Sequence, residues 1–227
     1  MPFLDEISEA AKAIGAVNTV LKDADGRLAG HNTDWMAIFQ LVKERLGEHL
    51  TEEGGKKKPV GLVIGAGGTA HAACFALSQL GLEYFIFNRT AEKAKELASR
   101  FSGATPIDSL DALNGVDVVI GTVPPSAQFS LPPHLLPKEG EGEKDRLPLV
   151  VELVYHPRET PLALQARKHN LRLVEGVEIL LAQALEQFVI WTKRQAPRQE
   201  MIHQLLFRHK DGILSQDPPV SFVLKSK

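Results

Sequence analysis

The stretch from Val60 to Lys95 constrains this chain more than any other, because it reads as strand, glycine turn, helix and second strand in immediate succession. Val60 to Ile64 is a short apolar run that suits a strand buried on both faces of a parallel sheet. Gly65, Gly67 and Gly68 let the backbone turn tightly and bring bare N–H groups to the start of a helix predicted over Thr69 to Leu80. The dipole of that helix favours an anion such as a pyrophosphate. Ala70 stands where the dinucleotide fingerprint has its last glycine, a replacement the pattern allows. A second strand at Tyr84 to Phe87 falls at the distance a βαβ unit demands. A glycine cluster alone also serves as a plain turn. The strand before it and the helix after it favour a nucleotide.

The end of the second strand discriminates between nucleotides. An NAD site places Asp or Glu there for the ribose hydroxyls. This chain has Asn88-Arg89-Thr90. A guanidinium beside two small polar side chains suits a ribose 2′-phosphate, to which it forms paired charge-assisted bonds, so NADP is the expected cofactor. In the alternative, Asn88 and Thr90 cap the helix starting near Ala91 and Arg89 is solvated.

A chain of 227 residues with 44% hydrophobic and 24% charged residues has the make-up of an ordinary soluble globular protein. The net charge of −2 gives no sign of a nucleic-acid surface. The single cysteine, Cys74, excludes an internal disulfide and points to a reducing compartment. No segment has the apolar length of a membrane span and the opening residues do not resemble a secretion signal, so a cytoplasmic protein is expected. No metal site is expected.

In chain order, Leu4 to Ala13 reads as a helix and Ile14 to Val20 as a strand containing the polar pair Asn18-Thr19. Asp25-Gly26 predicts a hairpin returning over Arg27 to Ala29. Thr33 is placed to cap a helix from Asp34 to Leu46. Gly54 to Pro59 is a polar break. Beyond the central unit come a helix over Ala91 to Phe101, a short one over Asp108 to Leu113, and a strand over Asp117 to Ile120. That strand ends in Gly121-Thr122, at the carboxyl edge where open α/β sheets bind ligands. Lys138 to Arg146 is a charged loop. A strand over Leu149 to Tyr155, a helix over Leu162 to His169 and a strand over Leu171 to Val174 complete the sheet. Helices over Val177 to Lys193 and Arg198 to His209 follow, then a tail. The expected fold is α/β, a Rossmann-like doubly wound parallel sheet with a second, incomplete lobe. Residues 1–50 form the partial lobe, 59–175 the nucleotide domain, 176–210 helices packing back on the first lobe, and 211–227 the tail.

Several of these motifs occur together in one family. Ala13 to Thr19, Asn32-Thr33-Asp34, Gly65 to Ala70, Asn88-Arg89-Thr90, Val154-Tyr155-His156-Pro157 with Thr160-Pro161-Leu162, and Gly176 to Gln183 resemble shikimate dehydrogenase in order and spacing. Trp35 and Glu186 to Thr192 are most similar to the fungal branch: the dehydrogenase module of the pentafunctional arom polypeptide and the related quinate repressor. The resemblance implies a cleft between a substrate lobe and a nucleotide lobe, with hydride passing between NADPH and the C3 carbonyl of 3-dehydroshikimate. It implies Asn18, Gln183 and Tyr155 as substrate-binding residues and Asp34 as the acidic half of a catalytic Lys–Asp pair. It places Thr69, Thr122 and Gly176 beside the glycine turn at the cofactor.

There are also departures. The family's lysine lies upstream of the helix near Leu4, and neither Lys12 nor Lys22 has its context. Ala37, His71, Glu152 and Ile179 stand where the family commonly has glycine, arginine, aspartate and methionine. Two readings follow: an NADP-dependent dehydrogenase module of weak or no turnover, and a non-catalytic sensor of shikimate or quinate metabolites in a regulator, which would be nuclear. An incomplete first lobe is expected to leave an exposed edge that favours self-association, or contact with other modules of a larger polypeptide. The helix dipole is expected to hold Asp34 ionised.

Overall fold

The computed structural model describes residues 2–47, 59–137 and 147–208. The polar break at 54–58, the charged loop at 138–146 and the tail lie outside these residues.

The opening segment builds a small sheet in the order β1-β3-β2. β1 (Glu6–Ile7) runs parallel to β3 (Leu28–His31), and β2 (Thr19–Lys22) runs antiparallel to it. The expected turn joins β2 to β3: Gly26 takes φ 84° and the Asp23 carboxylate accepts the Asp25 and Arg27 amides. The helix before it is shorter and later than expected. Ser8 caps the start of α1 (Glu9–Ile14), its hydroxyl accepting the Ala11 amide, and Gly15 ends it in the left-handed region at φ 77°. Ile14 therefore belongs to the helix, and the strand begins only at Thr19.

α2 (Asp34–Leu46) leads toward the larger sheet, whose order is β6-β5-β4-β7-β8-β9. Its strands are β4 (Val60–Ile64), β5 (Glu83–Phe87), β6 (Ala104–Ile107), β7 (Val118–Gly121), β8 (Leu149–Glu152) and β9 (Arg172–Val174). Every pairing in it is parallel. The strands that flank the turn-bearing β4 diverge on either side, which is the doubly wound arrangement.

Alternate residues supply two cores, as a strand buried on both faces requires. Val63, Val118, Ile120 and Val151 face α2, α3 (Gly68–Gln79) and α4 (Ala91–Ala98). Leu62, Ile64, Val119 and Val150 face Leu162 and Ala166 of α5 (Pro161–Lys168). α2 contributes Ala37, Ile38, Val42 and Leu46 to the first core, so its buried face belongs to the large sheet although its first residue leaves the small one. α6 (Gly176–Thr192) and α7 (Arg198–Arg208) pack together through Val177, Leu181 and Ile202. No helix of the described residues is long and apolar enough to cross a membrane.

Candidate functional site

Because all six strands of the large sheet are parallel, the segments that follow β4, β5, β7, β8 and β9 gather on one edge. Gly65 leaves β4 at φ 115°, and a Cβ there would stand 2.4 Å from Thr122 Oγ1. That hydroxyl donates to the Ile64 carbonyl at 2.7 Å, so Thr122 braces the turn from beneath. A Cβ on Gly67 or Gly68 would meet nothing within 4 Å. No side chain caps α3 and no acid lies in its first turn, which leaves its leading N–H groups to an anion.

A cavity of about 370 Å³ extends from this turn between Gly65, Phe87, Asn88, Arg89 and the Val123–Pro124 segment. No carboxylate lines it. Arg89 is exposed. Asn88 Nδ2 donates to the Thr90 carbonyl at 2.9 Å, and Thr90 precedes α4 without capping it by its hydroxyl. The polar pair thus braces the turn that presents Arg89 instead of capping the helix.

Val123 and Pro124 also line a second cavity, of about 350 Å³, with Asp34, Thr69, Thr122, Tyr155, Gly176 and Gln183. Asn18 is not among the lining residues but bonds two of them, sharing its two amide protons among Asp34 Oδ1 at 2.9 Å, Thr33 Oγ1 at 3.1 Å and Gln183 Oε1 at 3.3 Å. Its Oδ1 accepts the Thr33 backbone amide and the Thr19 hydroxyl, each at 2.8 Å. Gln187, one turn beyond Gln183 on α6, donates to Thr19 and Thr33 from behind. Thr33 therefore does not cap α2, since its hydroxyl is committed to this network. Asn32 does so instead, its Oδ1 accepting the amides of Asp34 and Trp35.

Burial pushes the Asp34 carboxyl above its ordinary value, and the Asn18 hydrogen bond only partly opposes it. Burial thus works against the helix dipole, which by itself favours the ionised form. No cation pairs with Asp34 among the described residues. Lys12 is taken by Glu9 at 2.8 Å, and neither Lys22 nor His31 lines the cavity. Among the described residues no group of His, Cys, Asp or Glu could hold a metal ion.

The family profile described as Shikimate / quinate 5-dehydrogenase matches residues 47–129, and that described as Shikimate 5'-dehydrogenase C-terminal domain matches 176–206. A shikimate dehydrogenase (NADP(+)) of Sulfolobus acidocaldarius is 35% identical over 207 residues, 91% of this chain and 70% of that protein. The chain belongs to the shikimate dehydrogenase family. The pentafunctional AROM polypeptide of Komagataella phaffii is also 35% identical, over 86% of this chain but only 13% of its own length. A solved shikimate dehydrogenase from Thermus thermophilus, in complex with NADP(H) and shikimate, superposes with a TM-score of 0.68 at 30% identity, covering 90% of this chain and 72% of that one.

The positions that depart from the usual shikimate dehydrogenase pattern have physical roles here. His71 Nδ1 donates to the Ile14 carbonyl at 3.0 Å, and Arg100 reaches the Ala13 carbonyl at 3.2 Å. His71 thus fastens α3 to the end of α1, and its burial lowers its pKa. Ala37 is fully buried in the core and Ile179 lines the cleft. Glu152, whose carboxyl burial pushes up, accepts the Thr160 hydroxyl at 2.6 Å and the Val154 amide at 3.0 Å. Asn32 and Gln187 lie within the motifs quoted above, but the sequence reading assigns neither a role. The only signal for Gln187 was its i+4 relation to Gln183, which puts both on one helix face.

Proposed function

We propose that this chain carries the nucleotide-binding part and the inner wall of the substrate site of an NADP-dependent shikimate dehydrogenase. The observation that carries the reading is the meeting, at Val123–Pro124, of a cavity bearing Gly65, Asn88 and Arg89 with one bearing Asp34, Tyr155 and Gln183. Gly65 to Ala70 receive the pyrophosphate on the α3 N–H groups, and Arg89 takes the ribose 2′-phosphate with Asn88 and Thr90 shaping its turn. Thr122 and Gly176 flank the passage to the second cavity. Held by these residues, NADP(H) would supply or accept the hydride at the C3 carbonyl carbon of 3-dehydroshikimate. Asn18 and Gln183 present amide groups to the substrate's hydroxyls or carboxylate, Tyr155 closes the open side, and Asp34 orients the oxygen that gains or loses a proton.

Among the described residues no cation stands beside Asp34 to supply that proton, and an absent general acid costs about 10²–10⁴-fold in rate. Turnover by this chain is therefore weak or absent. The departures at Ala37, His71 and Ile179 favour the second reading, a sensor of shikimate or quinate metabolites. NADPH absorbance assays with shikimate and quinate, beside calorimetric titration of NADPH and each acid, test both. Binding of neither nucleotide nor acid sinks both readings. Strong turnover shows that another group supplies the proton. Binding without turnover supports the module, and the same result in a version extended upstream through the native gene selects the sensor. Within the dehydrogenase reading, residues 1–50 with the helices at 176–210 supply the substrate lobe and 59–175 the nucleotide domain, except that α2 packs its buried face on the sheet of the latter. Its partners are neighbouring modules or a second copy, in the cytoplasm, or in the nucleus if it serves a repressor.

A further inference from the structure

The loop from Leu153 to Thr160 carries Tyr155 to the cleft and is fastened to the first turn of α6 at two points. The first is backbone on backbone: a Cβ on Gly176 would stand 2.4 Å from the Val154 carbonyl oxygen and 2.7 Å from the Tyr155 nitrogen. The second is ionic: Arg158, in the same loop, donates from Nε to Glu175 Oε2 at 2.6 Å. The other oxygen of Glu175 accepts Arg167 of α5 at 2.5 Å. Glu175 is itself built into α6, since its carboxylate takes part in a capping box with Glu178, whose carboxylate in turn accepts the Glu175 amide at 3.0 Å and pairs with Arg45 of α2 at 2.6 Å. One buried carboxylate thus joins the wall carrying Tyr155 to the helix carrying Gly176, Ile179 and Gln183.

We propose that Glu175 is a positioning residue: through Arg158 it sets where Tyr155 stands over the cleft. It touches neither cavity itself. A hydrogen-bonded charge pair of this kind, largely withdrawn from water, holds one geometry strongly once formed, because releasing either partner strands the other's charge. The consequence for substrate binding rests on the function proposed above; the placement of Tyr155 does not.

The chain has two tyrosines, Tyr84 and Tyr155, and Tyr84 is buried against Cys74 and Ser78. Fluorotyrosine labelling therefore gives two fluorine resonances, assigned with Tyr155→Phe. In the ligand-free protein, Glu175→Gln and Arg158→Gln should each move the Tyr155 resonance and leave that of Tyr84 in place. Arg167→Gln, which removes the helix-side partner, should leave both. Calorimetry should show shikimate binding weakened about tenfold in the first two variants, the scale of one hydrogen bond, with NADPH binding little changed. If Glu175→Gln lowers the melting temperature but leaves the Tyr155 resonance at its wild-type position, the residue is only structural and the proposal is overturned. Should Glu175→Gln fail to fold, Arg158→Gln decides alone on the same criterion. A wild-type chain that binds no shikimate, while Tyr155 still responds to both variants, removes the proposed function and keeps the positioning role.

Discussion

Replacing Asn18 with Ala tests the network at the heart of the site. Its Oδ1 is the acceptor of the Thr33 backbone amide at 2.8 Å, and Thr33 is fully buried. The alanine variant leaves that amide without its acceptor, a loss of about 1–3 kcal/mol. The hydroxyls of Thr19 and Thr33 lose a partner too, yet they keep each other at 3.4 Å and Gln187 at 3.2 and 3.3 Å, so they add little. Asp34 loses a donor at 2.9 Å but is partly open to water and can rehydrate. The amide therefore dominates. For a chain of this size each kcal/mol lowers the melting temperature by about 2–4 °C, so the variant should melt roughly 2–12 °C below the parent. Calorimetric melting gives the magnitude, and hydrogen exchange at the Thr33 amide gives the cause. Carbon-detected titration of the Asp34 carboxyl adds a sign: without the bond that lowers it, its pKa should climb further. An unchanged melting temperature with the Thr33 amide still protected would refute the reasoning.

Three further outcomes are expected. Burial holds the Asp34 pKa above its unfolded value, so its contribution is most favourable below the unfolded pKa and is lost as pH rises through the folded one. Asp34→Asn, which keeps an acceptor for Asn18, should melt at or above wild type at pH 7 and lose that advantage in acid; a lower melting temperature at pH 7 contradicts this. Arg89→Ala should weaken NADPH by about 1.5–3 kcal/mol and barely alter NADH, measured by calorimetry, and equal losses for both would sink the 2′-phosphate assignment. Gly65→Ala forces a side chain onto φ 115° and to 2.4 Å from Thr122 Oγ1. Strain alone costs about 1–3 kcal/mol, so a wild-type melting curve and NADPH affinity would show that the turn is not held as described.

The nucleotide half was legible because its signals are local. A five-residue apolar run, a glycine turn and a helix identify themselves within one window, and parallel order then brings Asn88, Thr122 and Gly176 to a common edge. β6 was not foreseen, because Pro106 sits inside it; as the outermost strand of the sheet it has a side on which a missing donor costs nothing. The two-residue β1 carries too little pattern to separate it from the helix that follows. In the site, Asn18, Asp34 and Gln183 were recognisable through family likeness. Their mutual contacts span up to 165 positions of sequence and leave no local trace. The choice between Asn32 and Thr33 as cap was decided by Gln187, which withdraws the Thr33 hydroxyl from across the molecule. Likewise the sign of the Asp34 shift depends on how much water is removed, which periodicity does not report.

The course of α2 has a mechanical consequence. Asp34 is its first residue, but Ala37, Ile38, Val42 and Leu46 are locked into the core of the large sheet. The acid therefore travels as one rigid body with the glycine turn, while Asn18 travels with the small sheet. A swing of one sheet against the other would bend the chain at Asn32 and Thr33 and would also have to release α1 from His71 and Arg100. Such a swing stretches the 2.9 Å bond between Asn18 and Asp34 and leaves the distance from Asp34 to the nucleotide edge unchanged. Asp34 would then lose its hydrogen bond to Asn18 while keeping its place beside the glycine turn.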